Sequence, residues 1–321
     1  MELSIALMVL GLAVLLISGD LLVRGAVGLA TALRIPALVV SLTIVAFGTS
    51  APELVVTVQA VLRDSAGIAL GNIIGSNIAN ILLVLGFPAV IYPITTKVRG
   101  LRRHAVVMLA ATALFSGFAY FNRGIDFAAG ALLFGGILAY VGYMWIRATS
   151  GGVDPVIDEV AEYAEAGGLS FVTILYLVAG LVGLPLGAHL LVTHGEALAS
   201  SLGVRDELIG LTIVAFGTSL PELATVVAAA FHKKSDVAIG GVVGSNIFNL
   251  LAVGGAAGLA GGATFDASSL AFDLPVMIAV ALAIGAFVFA RRDIGRLAGA
   301  IFAVAYIAFI VALALKSGIA G

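Results

Sequence analysis

The sequence predicts an all-α polytopic membrane protein whose ten transmembrane helices form two five-helix repeats of inverted topology. Hydrophobic residues make up 61% of the 321 residues and charged residues only 11%, whereas a soluble domain is roughly 45–50% apolar and about 25% charged. The apolar residues fall into ten runs, and a pair of sequence motifs occurs twice at one constant spacing. A net charge of -2 offers no basic surface for nucleic acid. The absence of cysteine excludes disulfides, thiol catalysis and cysteine-ligated metals.

The ten apolar runs predict ten membrane-spanning helices, because each is close to the roughly 20 residues that cross a bilayer. The first and the sixth runs are longer and are expected to tilt. The 40 glycines favour close helix packing over a β-barrel, whose strands would alternate in polarity at every second residue. The predicted spans are 3–30, 37–62, 68–92, 101–119, 125–147, 170–200, 206–231, 237–260, 271–290 and 297–316.

An internal repeat organises the chain. Residues 41–54 read SLTIVAFGTSAPEL and residues 210–223 read GLTIVAFGTSLPEL. The sequence GNIIGSNIAN at 71–80 matches GGVVGSNIFN at 240–249, and in both pairs the copies are 169 residues apart. Because each repeat has an odd number of spans, the second copy crosses the membrane in the opposite sense. Inverted repeats of this kind are typical of secondary transporters with a binding site at the membrane midplane.

The repeats also predict the domain boundaries. The first five-helix repeat covers 1–147, with its motif region at 41–83, and the second covers 169–321, with its motif region at 210–252. The segment 148–168 between them is acidic. We interpret it as a linker, because it is far shorter than the roughly 50 residues of the smallest independent domains.

The distribution of Lys and Arg predicts the orientation, since cytoplasmic loops are enriched in these residues. If both termini are extracytoplasmic, cytoplasmic segments carry more of the basic residues than external segments do. We therefore expect a multi-pass protein of the plasma (inner) membrane with a cytoplasmic linker. The cytoplasmic set is Arg34, Lys97, Arg99, Arg102, Arg103, Arg147, Lys233, Lys234, Arg291, Arg292 and Arg296, and the external set is Arg63, Arg123, Arg205 and Lys316.

The first motif predicts a broken helix that carries a carboxylate at membrane depth. Pro52 has no amide proton and its ring clashes with the carbonyl of Gly48, so the helix must kink or open there. Irregular backbone inside a membrane is tolerated only where it faces protein or a cavity. Thr49 and Glu53 are four residues apart and therefore share a helix face. The segment 217–222 repeats every element of this motif.

The second motif predicts polar side chains on one face of a neighbouring helix. Ser76 and Asn80 are four residues apart, which puts a hydroxyl and an amide carbonyl on the same face. The second repeat has the same pair of residue types at the equivalent positions. Asn77 and Asn246 lie one step around the helix, and we expect them to serve in packing.

Together the two motif pairs predict a binding site for a hard cation. If the broken helices cross the neighbouring motif helices, roughly a dozen oxygen ligands converge, of which only Glu53 and Glu222 are charged. Such ligands suit Ca²⁺ and Na⁺ and are poor for soft metals. Two carboxylates balance one Ca²⁺ ion or two of several Na⁺ ions, so competition for the same carboxylates is a physical basis for exchange.

Other functions are open to the same residues. An antiporter could couple Ca²⁺, or another divalent cation, to protons through a carboxylate, although the hydroxyl-rich surroundings favour Na⁺. A cation channel could use the same oxygen ligands. An enzyme is not expected, because the sequence has no phosphate-binding loop, no HExxH motif and no GxSxG motif.

Charged groups in the long first and sixth spans have separate interpretations. Asp20 and Arg24 are four residues apart and are expected to form an ion pair. His189, His194 and Glu196 are not duplicated in the first repeat, so proton coupling through them is not favoured.

The paired GTSxPEL and GSNIxN motifs resemble the repeats of the cation/calcium exchanger superfamily, especially its prokaryotic sodium/calcium exchangers. This resemblance covers the whole chain. It implies a ten-helix inverted-repeat fold and exchange of Na⁺ for Ca²⁺ by alternating access, in which the first and sixth helices slide together across the core. It also implies that no cofactor is needed, that the partners are the two ions and the lipid bilayer, and that no protein partner is obligatory.

The resemblance also implies the ligands. The two glutamates would be shared by Ca²⁺ and Na⁺, the threonines and alanines would lend main-chain or hydroxyl oxygens, and the serines and asparagines would complete the sites. These positions are Glu53, Glu222, Thr49, Thr218, Ser50, Ser219, Ser76, Ser245, Asn80, Asn249, Ala46 and Ala215.

The asparagines predict which ions the site accepts. In the superfamily that this sequence resembles, potassium-dependent members are similar in having Asp at one of the two asparagine positions. This sequence has Asn80 and Asn249 there. The missing negative charge should weaken any K⁺ site, which favours potassium-independent exchange.

Overall fold

The computed structural model describes residues 2–33, 35, 37–149, 170–201 and 215–316. Within these residues the chain is helical apart from short connections and one pair of strands. The helices are Glu2–Leu33 (α1), 37–49 (α2), Ala51–Leu62 (α3), Ala66–Ile91 (α4), Leu101–Phe121 (α5), Phe127–Thr149 (α6), Phe171–Ser201 (α7), Ala215–Thr218 (α8), Leu220–Phe231 (α9), Ser235–Ala260 (α10), Ser269–Ala290 (α11) and Arg296–Lys316 (α12). The strands are Gly124–Ile125 (β1) and Ala263–Thr264 (β2).

The helices are those of a multi-pass membrane protein. Among the described residues, 8 helices are long and apolar enough to cross a membrane, or 9 if the bent pair α2–α3 is one span. The predicted span at 206–231 begins outside the described residues and continues in α8 and α9. The linker predicted at 148–168 also lies almost wholly outside them.

Helices α1 and α7 pack closely and run antiparallel. A Cβ atom on Gly11 would lie 2.7 Å from the backbone nitrogen of Leu191, and one on Gly180 would lie 2.8 Å from that of Leu22. These two contacts are related by the repeat spacing of 169 residues, because Gly180 is equivalent to Gly11 and Leu191 is equivalent to Leu22. Only glycine permits this approach, so these residues fix α1 and α7 as a close pair.

Helices α4 and α10 form the centre of the molecule. The most apolar part of α10 is entirely buried inside the protein, and α4 is buried over most of its length. The core around them is built from aliphatic and small residues, with α2, α3, α5, α9, α11 and α12 packed against one or both. Both central helices contain a π-helical turn, at Asn80–Leu85 and at Asn249–Val253.

Short pairings tie the connections of the two halves together. In the sheet, Gly124 pairs with Thr264 and Ile125 with Ala263 in antiparallel fashion. A separate bridge joins Ile94 to Ile294. The loop before α6 ends at Asp126, whose side chain accepts a hydrogen bond from the Ala129 amide at 2.8 Å and so caps the helix.

The ion pair predicted in α1 is present. Arg24 Nε lies 2.8 Å from Asp20 Oδ2. Asp20 has a second partner that the sequence did not indicate, because its other oxygen contacts Nε2 of His232 at the end of α9. This contact and the packing of Gly19 against the backbone of Ala224 join α1 to α9.

Candidate cation-binding site

The two copies of the first motif break their helices in the same way. Helix α2 ends at Thr49, Ser50 has φ -87° and ψ 4°, and α3 begins at Ala51. In the second repeat Ser219, with φ -87° and ψ 3°, separates α8 from α9. The axes of the first pair bend by 48°. The break predicted from the proline is therefore confirmed.

The breaks put a helix N-terminus beside each carboxylate. Glu53 and Glu222 lie in the first turns of α3 and α9, where the unpaired amides and the helix dipole favour negative charge. Both side chains are buried, with 1% and 3% of their surfaces exposed. They are close enough to repel each other. An added cation would relieve both the repulsion and the cost of burying the charges.

Hydroxyl groups connect the two repeats at this point. Ser50 Oγ donates a hydrogen bond of 3.1 Å to Glu222 Oε1, and Thr49 Oγ1 lies 3.4 Å from Ser245 Oγ. The hydroxyls of Thr49 and Ser245 also approach the Glu222 carboxylate. One repeat thus contributes hydroxyl groups to the carboxylate of the other.

Several buried polar atoms in this region have no hydrogen-bond partner within the described part of the chain. They include both carboxylate oxygens of Glu53, Oε2 of Glu222, Oγ of Ser219, Oδ1 of Asn80, and both amide atoms of Asn249. Unpaired buried acceptors are costly. A group composed almost entirely of oxygen atoms fits a hard cation such as Ca²⁺ or Na⁺.

The asparagines of the second motif are linked across the central helices. Asn80 Nδ2 donates to Asn246 Oδ1 at 3.0 Å, and Asn246 Nδ2 donates to the Asn77 carbonyl at 3.4 Å. We expected a packing role for Asn246, but its hydrogen bond orients the Asn80 amide and leaves Asn80 Oδ1 free. The signal in the sequence was the three-residue spacing of Asn246 and Asn249, which places them on neighbouring parts of one face.

The π-helical turns of the two central helices begin at the predicted asparagines. Asn80 and Asn249 each start the widened turn of their central helix. Such turns are rare and are frequently found at functional sites. Both asparagine side chains are fully buried.

The remaining predicted residues are placed as follows. Ser76 is buried, and Thr218 is half-buried. The Ala46 carbonyl already accepts hydrogen bonds from the Ser50 amide, at 3.0 Å, and from Thr49 Oγ1, at 3.4 Å. Ala215 begins α8, but its side chain lies outside the described set. In the described chain no three acidic or histidine side chains gather as a metal cluster.

This fold and site define a class of protein, the multi-pass membrane transporters of hard cations. The sequence model of the family described as sodium/calcium exchanger protein matches residues 3–148 and 172–315. The chain therefore belongs to the sodium/calcium exchanger protein family, as its motifs predicted. Members of this family are transporters rather than enzymes, and the family supports antiport of cations including Ca²⁺ as the activity.

Individual relatives agree with this assignment. The chain is 32% identical over 343 residues to the sodium/calcium exchanger MaX1 of Methanosarcina acetivorans, covering 96% of this chain and 97% of that protein. It is 34% identical over 288 residues to the inner membrane protein YrbG of Escherichia coli, covering 88% and 87%. A solved structure of the sodium-calcium exchanger NCX_Mj superposes with a TM-score of 0.84 at 29% identity, covering 97% of this chain and 98% of that chain. The chain is thus a prokaryotic-type exchanger.

Proposed function

We propose that this protein is a secondary active antiporter that exchanges Na⁺ for Ca²⁺ across the plasma membrane by alternating access. The observation that carries this proposal is the pair of buried glutamates in duplicated broken helices, bridged by Ser50. Carriers with discontinuous helices bind their ions where the helices break. The names of MaX1 and NCX_Mj as exchangers of these two ions support the same choice.

Charge balance explains why the two ions would compete. One Ca²⁺ ion neutralises the carboxylates of Glu53 and Glu222, and so do two Na⁺ ions. Neither combination leaves a net charge on the pair, so a loaded carrier of either kind can occlude the ion in a low-dielectric interior. The empty carrier retains two buried negative charges, which opposes reorientation without an ion and thereby favours exchange.

We assign the ligand roles to the twelve positions predicted from the sequence. The two glutamates hold the central charge, and the hydroxyls and carbonyls beside them complete the coordination of Ca²⁺ and of the flanking Na⁺ ions. The burial and unpaired oxygen atoms of this group support the assignment. The set is Glu53, Glu222, Thr49, Thr218, Ser50, Ser219, Ser76, Ser245, Asn80, Asn249, Ala46 and Ala215.

We also propose ten spans in two inverted repeats, 1–147 and 169–321, with 148–168 as cytoplasmic linker and both termini extracytoplasmic. The antiparallel packing of α1 on α7 supports the inversion, because these helices are equivalent by the repeat spacing. The two backbone pairings support it as well. Ile94 and Ala263 are equivalent, as are Ile125 and Ile294, so the bridges are related by the same spacing.

Potassium independence follows from the neutral asparagines. Asn80 and Asn249 supply amide groups where an aspartate would supply a charge. Without that charge, an additional K⁺ ion would be bound more weakly. We therefore propose exchange that does not require K⁺.

The test is radioactive Ca²⁺ uptake into proteoliposomes that are loaded with Na⁺ and diluted into Na⁺-free buffer, with K⁺ and pH clamped. Uptake that requires internal Na⁺ and is unchanged by K⁺ is expected. Liposomes without protein, and proteoliposomes with equal Na⁺ on both sides, are the controls. Ca²⁺ uptake driven by a pH gradient in the complete absence of Na⁺ would contradict Na⁺ coupling. Conductance without a counter-ion would contradict antiport.

A further inference from the structure

An asparagine outside the predicted ligand set ties the first ligand-bearing helix to the centre of the molecule. Asn72 of α4 donates through Nδ2 to the carbonyl of Glu53 at 3.2 Å and to Oγ1 of Thr57 at 2.9 Å. We call this group the Asn72 bridge. Glu53 and Thr57 are one helical turn apart on the same face of α3, so one amide reaches both.

The bridge has no counterpart in the second repeat. The positions equivalent to Thr57 and Asn72 are Val226 and Gly241, neither of which can form these bonds. Gly241 instead faces α2, because a Cβ atom there would be in ordinary van der Waals contact with Oγ of Ser41, at 3.5 Å. Ser41 in turn donates to the carbonyl of Val237 at 2.7 Å, which joins α2 to α10.

The two carboxylates consequently differ in how they are held. Glu222 is oriented through its side chain, because Ser50 donates to its carboxylate. Neither carboxylate oxygen of Glu53 has a hydrogen-bond partner among the described residues. The polar contacts that fix Glu53 relative to α4 are made by its main chain and by Thr57, which is fully buried.

We propose that Asn72 is a positioning residue for cation binding: it holds the first turn of α3 against α4 so that the Glu53 carboxylate meets the ion in a fixed place. Both hydrogen bonds join α3 to α4, and the Thr57 hydroxyl is fully buried, so the loss of its partner would leave it without a replacement. The proposal rests on the proposed binding of Ca²⁺ at Glu53, and it adds a residue that does not itself contact the ion.

The variants come from the second repeat of the same chain. Asn72→Gly and Thr57→Val each install the residue found at the equivalent position, and Thr57→Ser keeps the hydroxyl. Thr225→Val is the matched control. Thr225 is a buried threonine of α9 whose hydroxyl bonds the Pro221 carbonyl of its own helix, at 2.8 Å, and does not cross to another helix.

Two measurements on the full-length protein read the effect. One is the Ca²⁺ concentration that gives half-maximal Na⁺-driven uptake, with the maximal rate recorded separately. The other is the Ca²⁺ concentration that gives half-maximal thermal stabilisation of the protein in detergent. The second requires only Ca²⁺ binding, so it remains informative if the coupling ion is not Na⁺. Absence of any Ca²⁺-dependent stabilisation in the unmodified protein would overturn both this proposal and the proposed function.

We expect Asn72→Gly to raise both half-maximal Ca²⁺ concentrations about fivefold, at the lower end of what the loss of its two hydrogen bonds corresponds to, with the maximal rate little changed. Thr57→Val is expected to raise them less, since Asn72 still bonds the Glu53 carbonyl, and Thr57→Ser is expected to restore them. If Asn72→Gly does not fold, the comparison of Thr57→Val with Thr57→Ser decides whether the Asn72 bridge affects Ca²⁺ binding. A lower melting temperature with unchanged Ca²⁺ dependence, or an equal shift in Thr225→Val, would overturn the proposal.

Discussion

Glu53 and Glu222 occupy equivalent positions in the two repeats, but their surroundings differ within the described structure. The Glu222 carboxylate accepts a hydrogen bond from Ser50 of the opposite repeat, whereas both oxygens of Glu53 lack partners. The main-chain carbonyl of Glu53 accepts a hydrogen bond from Asn72. The second repeat has Gly241 at the position equivalent to Asn72, so it lacks this bond. Duplicated sequence has therefore given two carboxylates of equal charge, one oriented through its side chain and the other through its backbone.

The largest effect is expected from variants that remove the carboxylate charge that the two repeats have in common. Glu53→Gln and Glu222→Gln each delete one of the two charges that a divalent cation needs. Because the affinity for Ca²⁺ depends on the number of charged ligands, we expect either variant to lower Ca²⁺ uptake by a factor on the order of 100. Na⁺-driven Ca²⁺ uptake in proteoliposomes measures this. Full activity in either variant would refute the assigned site.

The second prediction concerns a contact that both repeats share. Gly11→Ala and Gly180→Ala should each force α1 and α7 apart, because the new methyl group would lie within 2.9 Å of the facing backbone. We expect each variant to lose about 1–3 kcal/mol of stability, measured by thermal unfolding in detergent. Gly67→Ala is the control, because a Cβ atom there meets nothing within 4 Å. Unequal losses at Gly11 and Gly180 would mean that the repeats differ in packing as well as in hydrogen bonding.

The third prediction tests the difference between the carboxylates directly. Ser50→Ala removes the donor to Glu222, a hydrogen bond to a charged group, and should raise the half-maximal Ca²⁺ concentration by about tenfold. Ser219→Ala should have the smaller effect, because Ser219 Oγ has no partner in the described part of the chain. Titration of Ca²⁺ in the uptake assay distinguishes the two. Equal shifts would show that the asymmetry of the structure does not extend to binding.

The smallest effect is expected at the end of α9 opposite to Glu222. Asp20 contacts His232 and Arg24. The residues equivalent to Asp20 and His232 are His189 and Arg63, and both are exposed. Ion pairs with partly exposed side chains contribute about 0–1 kcal/mol. Asp20→Asn should therefore change the Ca²⁺ uptake rate no more than about threefold. A complete loss of transport would instead place the contact of α1 with α9 in the transport cycle.

Much of this architecture could be predicted because its signals are local. Pro52 dictates the break after Thr49, and the spacing of Asp20 and Arg24 dictates their ion pair. The predicted span 101–119 differs from the helix Leu101–Phe121 by two residues at one end. Each of these predictions depends on residues within a few positions of one another.

Contacts between distant segments could not be predicted in the same way. His232 is 212 positions from Asp20, and Asn246 is 166 from Asn80. The repeat also gives no sign that the surroundings of equivalent residues differ. Asn72 is missing from the predicted site because it faces the main chain of Glu53, and the sequence gives no sign of that contact.

The hydrogen bond between Ser50 and Glu222 has a consequence for the biogenesis of the protein. Its two residues are 172 positions apart in the chain. At a synthesis rate of about 5–20 residues per second, Glu53 and Ser50 would leave the ribosome roughly ten to thirty seconds before Glu222 does. Throughout that interval the nascent half carries the Ser50 hydroxyl without its carboxylate acceptor and the Glu53 carboxylate without the helices of the second repeat. The insertion machinery must therefore accommodate an unfinished polar interior, and the first half can reach its final packing only after the second has been made.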